Sequence, residues 1–401
     1  MNNTKIAIIT PSFPPKGGGI ATSHYNLYLL FHKMYNVKVF VYADNEPENN
    51  PNIVKRKSPV WLGNVLAWLI KLYLRRYDKY GKLVICTEIV KNAFGVIRLN
   101  KPLRRFKPDI IIAPDNKAPV YFVRKPKNSK LIWFSHNNYL RFRNHPLINS
   151  PAWIDIDVGR SFERKALNKA DFVLTPSKYM ISEFHKAYPH KLPIKVIHNF
   201  IDTSNINNVE DFPLHQELQI DENVPVIYIP SAGSDNKGKR YVFEMVRRIA
   251  AALDFKVAFY LSGHIPVDLK YELDSVDDKI RIYAPGHVEW KRNLSVIKSC
   301  RICVSPTLVE NFSNAFVEAF GLGLPIVTFD VGGNKEIIDS GKNGYIVPYI
   351  DIEMLISKTQ LLLNNPSRVL IFSSNAKKAF NQLSDINKLR NQYRELINSI
   401  L

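Results

Sequence analysis

Glu310 and Glu318 have seven residues between them, and the run that holds them, 305–325, reads as strand end, loop, short helix and stop. Glu310 falls in the loop. Glu318 falls inside the helical pattern, which Ser313 or Asn314 can cap and Gly323 with Pro325 can end. A helix starting there turns its dipole and its first N–H groups toward an anion. One carboxylate can then accept from sugar hydroxyls and the other from a ribose diol, although spacing alone is equally met by a glutamate on a solvated helix face. A second constellation lies near the N-terminus, where Pro14, Pro15 and Lys16 lead into Gly17, Gly18 and Gly19, between a strand-like run at 5–10 and a helical pattern at 20–34. Glycines at such a junction let the backbone come close to a phosphate that faces the helix start. Gly17 and Gly19 also fit the first two glycines of a dinucleotide-binding fingerprint, with Asp44 ending the next strand. Thr22 stands where the third glycine belongs and the loop is too long for that turn, which argues against a nicotinamide enzyme.

Two other patterns carry less. Asp155 and Asp157 form an Asp-x-Asp triplet of a kind that can bind metal, but such triplets arise by chance and the surrounding α/β pattern is wrong for it. Cys300 and Cys303 form a C-x-x-C that enters a buried strand instead of opening a helix, which speaks against a redox role. With only Cys86 besides, a four-cysteine zinc site is excluded and a disulfide framework is not built, as suits a reducing compartment.

The elements that must position these residues alternate from start to finish. β-Branched runs at 5–10, 37–42, 110–113, 131–135, 172–175 and 195–198 are followed by a second series at 226–229, 256–262, 280–283, 302–305, 325–329 and 344–347, with helical patterns between them. Short continuous apolar strands separated by helices predict parallel sheets covered on both faces. The fold class is therefore α/β, with two doubly wound Rossmann-like domains, which 401 residues accommodate. We place the N-terminal domain at 1–204 and the C-terminal domain at 205–384, with the polar stretch 202–224 as linker. A last helix at 385–401, with Ile386, Leu389, Tyr393, Leu396, Ile397 and Ile400 on one stripe, is expected to pack back on the N-terminal domain. In open α/β sheets ligands bind beyond the carboxyl ends of the strands, so two facing domains put theirs in a central cleft.

The net charge of +19 is one-sided. Residues 1–200 carry 33 Lys+Arg against 12 Asp+Glu, and residues 201–401 carry 22 against 24. An excess confined to one half predicts a partner rich in negative charge meeting that half. Its peak, 55–107, contains Trp61, Leu62, Val65, Leu66, Trp68, Leu69, Leu72 and Tyr73 at helical spacing, with Lys71, Arg75, Arg76 and Lys79 at or near the end. That is the composition of an interfacial membrane helix; the alternative is a buried helix with solvated lysines. No nucleic-acid-binding module is visible, so no nucleic-acid partner is expected. Nor does any apolar run approach the roughly 18 residues of a spanning helix. The expected location is cytoplasmic, peripheral at the inner face of the plasma membrane.

Taken in order along the chain, these motifs resemble glycosyltransferase family 4, retaining enzymes of the two-domain GT-B fold. The Glu310–Glu318 segment is similar to the family's E-x7-E motif, and loop 14–19 to its N-terminal glycine loop. Ile197, His198, Asn199, Phe200, Ile201 and Asp202 resemble its interdomain signature, and Gly332, Gly333, Asn334, Lys335 and Glu336 its glycine pair and glutamate. The resemblance implies that Glu310 binds hydroxyls of the donor sugar and Glu318 the nucleotide ribose. The amides of Phe312, Ser313 and Asn314 would hold the diphosphate, with Gly18 and Gly19 facing it from the other domain and Asn199 within the same donor set. Lys237 matches the lysine that neutralises the leaving diphosphate, and His136 the histidine near the transferred sugar, so His136, Lys237 and Glu310 are the implied catalytic residues. The family usually has an arginine five residues before the lysine; here that position is Ala232, and Arg240 is the nearest substitute.

The implied activity is hexosyl transfer from a nucleotide-sugar donor to a glycan or lipid-linked acceptor, in lipopolysaccharide or capsule synthesis, without metal or other cofactor. The basic N-terminal half would meet an anionic membrane surface. The alternatives are a nucleotide-sugar 2-epimerase on the same scaffold and a non-catalytic glycan-binding protein.

Overall fold

A computed structural model describes residues 3–13, 18–44, 49–76, 83–143, 145–148, 152–277 and 280–401. The apolar runs become strands, all parallel, with the inner strands almost wholly buried. Two compact units result: Met1–His198 together with Ile386–Leu401, and Asn199–Asp385.

The first unit contains β1 (Lys5–Thr10), β2 (Asn36–Val41), β3 (Ile53–Lys55), β4 (Ile110–Pro114), β5 (Lys130–Phe134), β6 (Phe172–Thr175) and β7 (Ile194–Val196), in the order β3-β2-β1-β4-β5-β6-β7. One strand more is present than the sequence pattern predicts: β3, a three-residue edge strand in register with Val39–Val41. The second unit contains β8 (Val226–Ile229), β9 (Ala258–Leu261), β10 (Arg281–Tyr283), β11 (Ile302–Ser305), β12 (Ile326–Phe329) and β13 (Gly344–Val347), ordered β10-β9-β8-β11-β12-β13. In each sheet the order reverses once, where Ile6 aligns with Ile110 between β1 and β4, and where Ile302 aligns with Ile227 between β8 and β11. These are the topological switch points, and the loops leaving their carboxyl ends are where an α/β sheet offers a crevice.

Three helices of the first unit matter below: α1 (Gly19–Phe31), α2 (Val60–Leu74) and α3 (Ile85–Phe106). The C-terminal helix Ile386–Ile400 belongs to this unit, burying Leu389, Tyr393, Leu396 and Ile397, with the Tyr393 ring edge-on to Phe31 of α1 at 5.0 Å. The linker reading of 202–224 needs correction. Helices Thr203–Asn207 and Leu214–Leu218 form there, and Ile201, Ile206, Leu214 and Leu218 are buried in the core of the second unit. The boundary therefore falls after His198, six residues before the expected one at 204, because single apolar anchors bind the polar stretch to the second core.

Candidate functional site

In the second unit the loop after β8 ends in a turn of 3-10 helix, Asp235–Lys237, and the loop after β11 carries Glu310. The two are sewn together by one carbonyl: Asn236 O accepts from the N–H of Leu308 at 2.9 Å and of Val309 at 3.0 Å, and from the Thr307 hydroxyl at 3.3 Å. Gly238, with φ +82°, makes this approach possible, since a Cβ there would collide with the Pro306 carbonyl. The result is that Lys237 Nζ donates to Glu310 Oε2 at 2.5 Å, while Glu310 Oε1 accepts the Asn311 N–H at 2.9 Å. Burial alone would raise the Glu310 carboxyl, but the Lys237 ammonium, the Asn311 N–H and the Ser313 hydroxyl outweigh it and hold the group below its ordinary range. Gly332, after β12, has φ +60° and lies where a Cβ would collide with the Glu310 carbonyl, and Gly333 N–H donates to Asn311 O at 2.9 Å. The glycine pair thus supports the Glu310 loop from below.

Helix Asn314–Gly321 starts directly after this loop. Ser313 occupies its N-cap position without a side-chain cap bond, and Gly323, φ +82°, ends it as expected. Phe312 is buried in the core and Ser313 is nearly so. Glu318 does not face solvent: it is 6% exposed, and its Oε1 accepts the indole N–H of Trp290 at 2.8 Å. Burial raises its carboxyl from 4.5 to about 7, against the lowering effect of the Trp290 bond.

That shift fixes a pH dependence. The folded unit holds the Glu318 proton up to about pH 7, whereas the unfolded chain releases it near 4.5. The Glu318 contribution to stability is therefore full below 4.5, falls as pH rises between 4.5 and about 7, and levels off above, by on the order of 3 kcal/mol. Glu318→Gln is expected to flatten that decline in urea midpoints measured across the window. An equal decline in the variant would place the titrating group elsewhere.

Arg240 lies exposed on the first turn of helix Lys239–Ala251, while Ala232 is fully buried beside Ser262, whose carbonyl accepts its N–H at 3.1 Å. Lys237 is a cation in direct contact with Glu310. Asn199 is buried at the start of the second unit, and Asp202 caps helix Thr203–Asn207, accepting the Ser204 N–H at 2.9 Å.

In the first unit, Pro14–Gly17 of the glycine loop lie outside the described residues. Gly18 is the N-cap of α1, and Gly19 its first residue. A Cβ on Gly18 would meet no atom within 4 Å among the described residues, and its φ of −105° suits any side chain, so packing there does not require glycine. His136 follows β5, its ring 4.0 Å from that of Phe134 and 5.4 Å from that of His24 on α1. Burial lowers His24 to about 3, and burial together with His24 holds His136 well below its ordinary value, so both imidazoles are neutral near pH 7. Asp115, just past β4, holds this loop: its Oδ2 accepts the Asn137 N–H at 2.6 Å and the Ser135 hydroxyl at 3.2 Å. Burial raises its carboxyl to about 7. Trp290 and Asp115 both escape the sequence motifs; for Asp115 the available signal was an acid closing a wholly apolar strand run.

The Asp-x-Asp pair separates in space. Asp155 is fully buried and caps α3, whereas Asp157 is half-buried and pairs with Arg143 at 3.4 Å. Among the described residues no group of three or more His, Cys, Asp or Glu is arranged to hold a metal ion. Cys300 and Cys303 are free, buried thiols, both pushed up by burial.

Comparisons with known proteins bear on the family and the fold. A model described as Glycosyltransferase Family 4 matches residues 17–205, and one described as Glycosyl transferases group 1 matches residues 224–365. Among curated relatives, the α-maltose-1-phosphate synthase of Mycolicibacterium smegmatis is 25% identical over 47% of this chain and 51% of its own length. The N-acetyl-α-D-glucosaminyl L-malate synthase of Bacillus anthracis is 21% identical over 59% and 62%. The chain thus spans about half to three-fifths of the length of these relatives. Among solved structures, the sucrose-phosphate synthase of Thermosynechococcus elongatus superposes with a TM-score of 0.74 at 16% identity, over 99% of this chain and 100% of that one. HepE of Anabaena, in complex with UDP and glucose, does so with a TM-score of 0.71 at 17% identity, over the same shares.

Proposed function

Because the chain belongs to the glycosyltransferases of the GT-B, family 4 type, we propose that it moves a sugar, with retention, from a nucleotide-sugar donor to a glycan or lipid-linked acceptor in surface-polysaccharide assembly at the cytoplasmic face. The observation that carries this reading is the contact of Lys237 with Glu310 at the start of helix Asn314–Gly321, with Glu318 buried farther along the same helix. The pair matches the two halves of a nucleotide sugar. Lys237 exchanges Glu310 for the anionic diphosphate, and the freed Glu310 carboxylate accepts from sugar hydroxyls. Glu318, once ionised, accepts from the ribose. As the anomeric carbon–oxygen bond breaks, negative charge grows on the diphosphate, where an ammonium and oriented amides already in place lower the barrier. The acceptor oxygen bonds to the anomeric carbon on the same face, and its proton passes to the departing phosphate oxygen. Gly18, Gly19, Asn199, Phe312, Ser313 and Asn314 complete the donor set, with Arg240 supplying the second cation and neutral His136 beside the transferred sugar. No metal ion takes part in this scheme.

UDP in the HepE complex makes UDP-sugars the first donors to test. A panel of UDP-, GDP- and ADP-sugars at about 100 times Kd is expected to raise the melting temperature by about 5 to 10 °C for one nucleotide class. The shift should shrink in Glu318→Gln and Lys237→Ala. A panel that moves nothing, or a shift indifferent to both substitutions, would overturn the assignment.

A further inference from the structure

Helix α2 has two apolar faces, and the protein covers only one of them. On the inner face Gly63, Ala67 and Leu74 are buried. There the helix packs tightly on α3, since a Cβ on Gly63 would stand 3.3 Å from the Lys91 Cα. Half a turn round, Trp61, Val65, Trp68, Leu69 and Leu72 fall within one arc at 100° per residue, with Tyr73 at its rim. All six are exposed, Trp61 by 68% and Trp68 by 61%. The buried-helix reading of this segment therefore does not hold. Scattered surface leucines need no explanation, but a contiguous aromatic and aliphatic face of this kind marks an interaction site.

Charge identifies the occupant. Between residues 49 and 76 there is no Asp or Glu, against Lys55, Arg56, Lys57, Lys71, Arg75 and Arg76. Lys71 lies in the last turn of α2, Arg75 and Arg76 follow it directly, and the Arg76 guanidinium stands 4.6 Å over the Tyr73 ring. Trp153, half exposed, begins a helix whose flanking Ala152 and Ile154 pack into the same small cluster as Ile70 and Leu74, which places a third tryptophan near that end of α2. Tryptophan and tyrosine beside arginine and lysine, with no acid among them, suit the boundary between acyl chains and anionic headgroups. A protein partner would have to bury two tryptophans and match a wholly basic rim, whereas an anionic bilayer supplies both environments at once. Fifteen residues of helix span about 22 Å, short of the roughly 30 Å of a hydrocarbon core, so α2 lies along the surface and does not cross it.

We propose that α2 is an interfacial membrane anchor. It sets Trp61, Val65, Trp68, Leu69 and Leu72 into the acyl boundary of an anionic bilayer, with Lys71, Arg75 and Arg76 at the headgroups. This inference goes beyond sugar transfer and does not depend on it.

The test is flotation of the full chain with vesicles of phosphatidylcholine alone and of phosphatidylcholine with about one third phosphatidylglycerol, near physiological salt. The wild type is expected to float with the anionic vesicles only, with a blue shift of its tryptophan emission. Trp61→Glu/Trp68→Glu should lower partitioning by about 100-fold. Lys71→Gln/Arg75→Gln/Arg76→Gln should lower it about as much, since each base near an anionic surface contributes roughly 1 kcal/mol. These side chains are exposed, so both variants should melt like the wild type. Equal flotation with both vesicle types, or unchanged flotation of the tryptophan variant, would overturn the anchor. So would a self-association that the tryptophan variant abolishes in a protein that never floats, which would assign the face to a second copy.

Discussion

Lys237→Ala is expected to lower kcat/KM for sugar transfer by about 100- to 1,000-fold, mostly through kcat. The ammonium is in hydrogen-bonding contact with Glu310, and its value to the reaction grows as charge moves onto the leaving group, so its loss falls on the transition state more than on binding. The substitution also strands Glu310, 10% exposed in its side chain, without its cation. The sign of the structural effect follows. Glu310 is held below its ordinary range in the fold, so the pair adds stability above that range, and this is lost as pH falls through the folded value. Lys237→Ala should therefore destabilise the second unit at neutral pH and much less in acid. Adding Glu310→Gln removes the unpaired charge, so the double variant should regain stability and remain inactive. Activity returning together with stability would mean that Lys237 only holds the loop, and the catalytic assignment would fall.

Strand and helix alternation was readable because the buried parallel strands are short continuous apolar runs, as at Ile6–Ile9 and Ile110–Ile112. What escaped was short or lacked periodicity. β3 offers only Ile53 and Val54 between polar neighbours, and the segment 202–224 joins the second core through isolated side chains such as Ile206 and Leu214. At the site, the spacing of Glu310 and Glu318 placed one in a loop and the other in a helix, as found. Their environments were beyond it. The burial of Glu318 depends on a tryptophan 28 positions earlier in the chain, and the contact of Lys237 with Glu310 depends on the Asn236 carbonyl drawing two loops together across 73 positions. Motifs report residue types along the chain; such pairings are set by the loops' backbone hydrogen bonds.

The second large effect is structural. Asp155→Ala should destabilise the first unit by about 3 kcal/mol, lowering its melting temperature by about 6 to 12 °C. The carboxylate is fully buried and accepts three backbone N–H groups at the start of α3: Val84 and Ile85 on Oδ2 and Cys86 on Oδ1, each at 2.7 Å. These are groups that a helix cannot satisfy internally, and the negative charge also meets the positive end of the helix dipole. Alanine leaves three donors facing a void, and asparagine is little better, because its amide can accept through one atom only and turns its own donors on the rest. Asp157, half-buried and in long ion pairs with Arg143 at 3.4 Å and Arg160 at 3.8 Å, should cost less than about 1 kcal/mol when replaced by alanine. The asymmetry is what separates a helix cap from an Asp-x-Asp metal site, in which both acids would matter to activity and chelators would abolish it. Equal losses of transfer in Asp155→Ala and Asp157→Ala, restored by added divalent metal, would reverse this assignment. Because α2 packs on the helix that Asp155 holds, the Asp155→Ala variant should also partition less well onto anionic vesicles than its remaining folded fraction predicts.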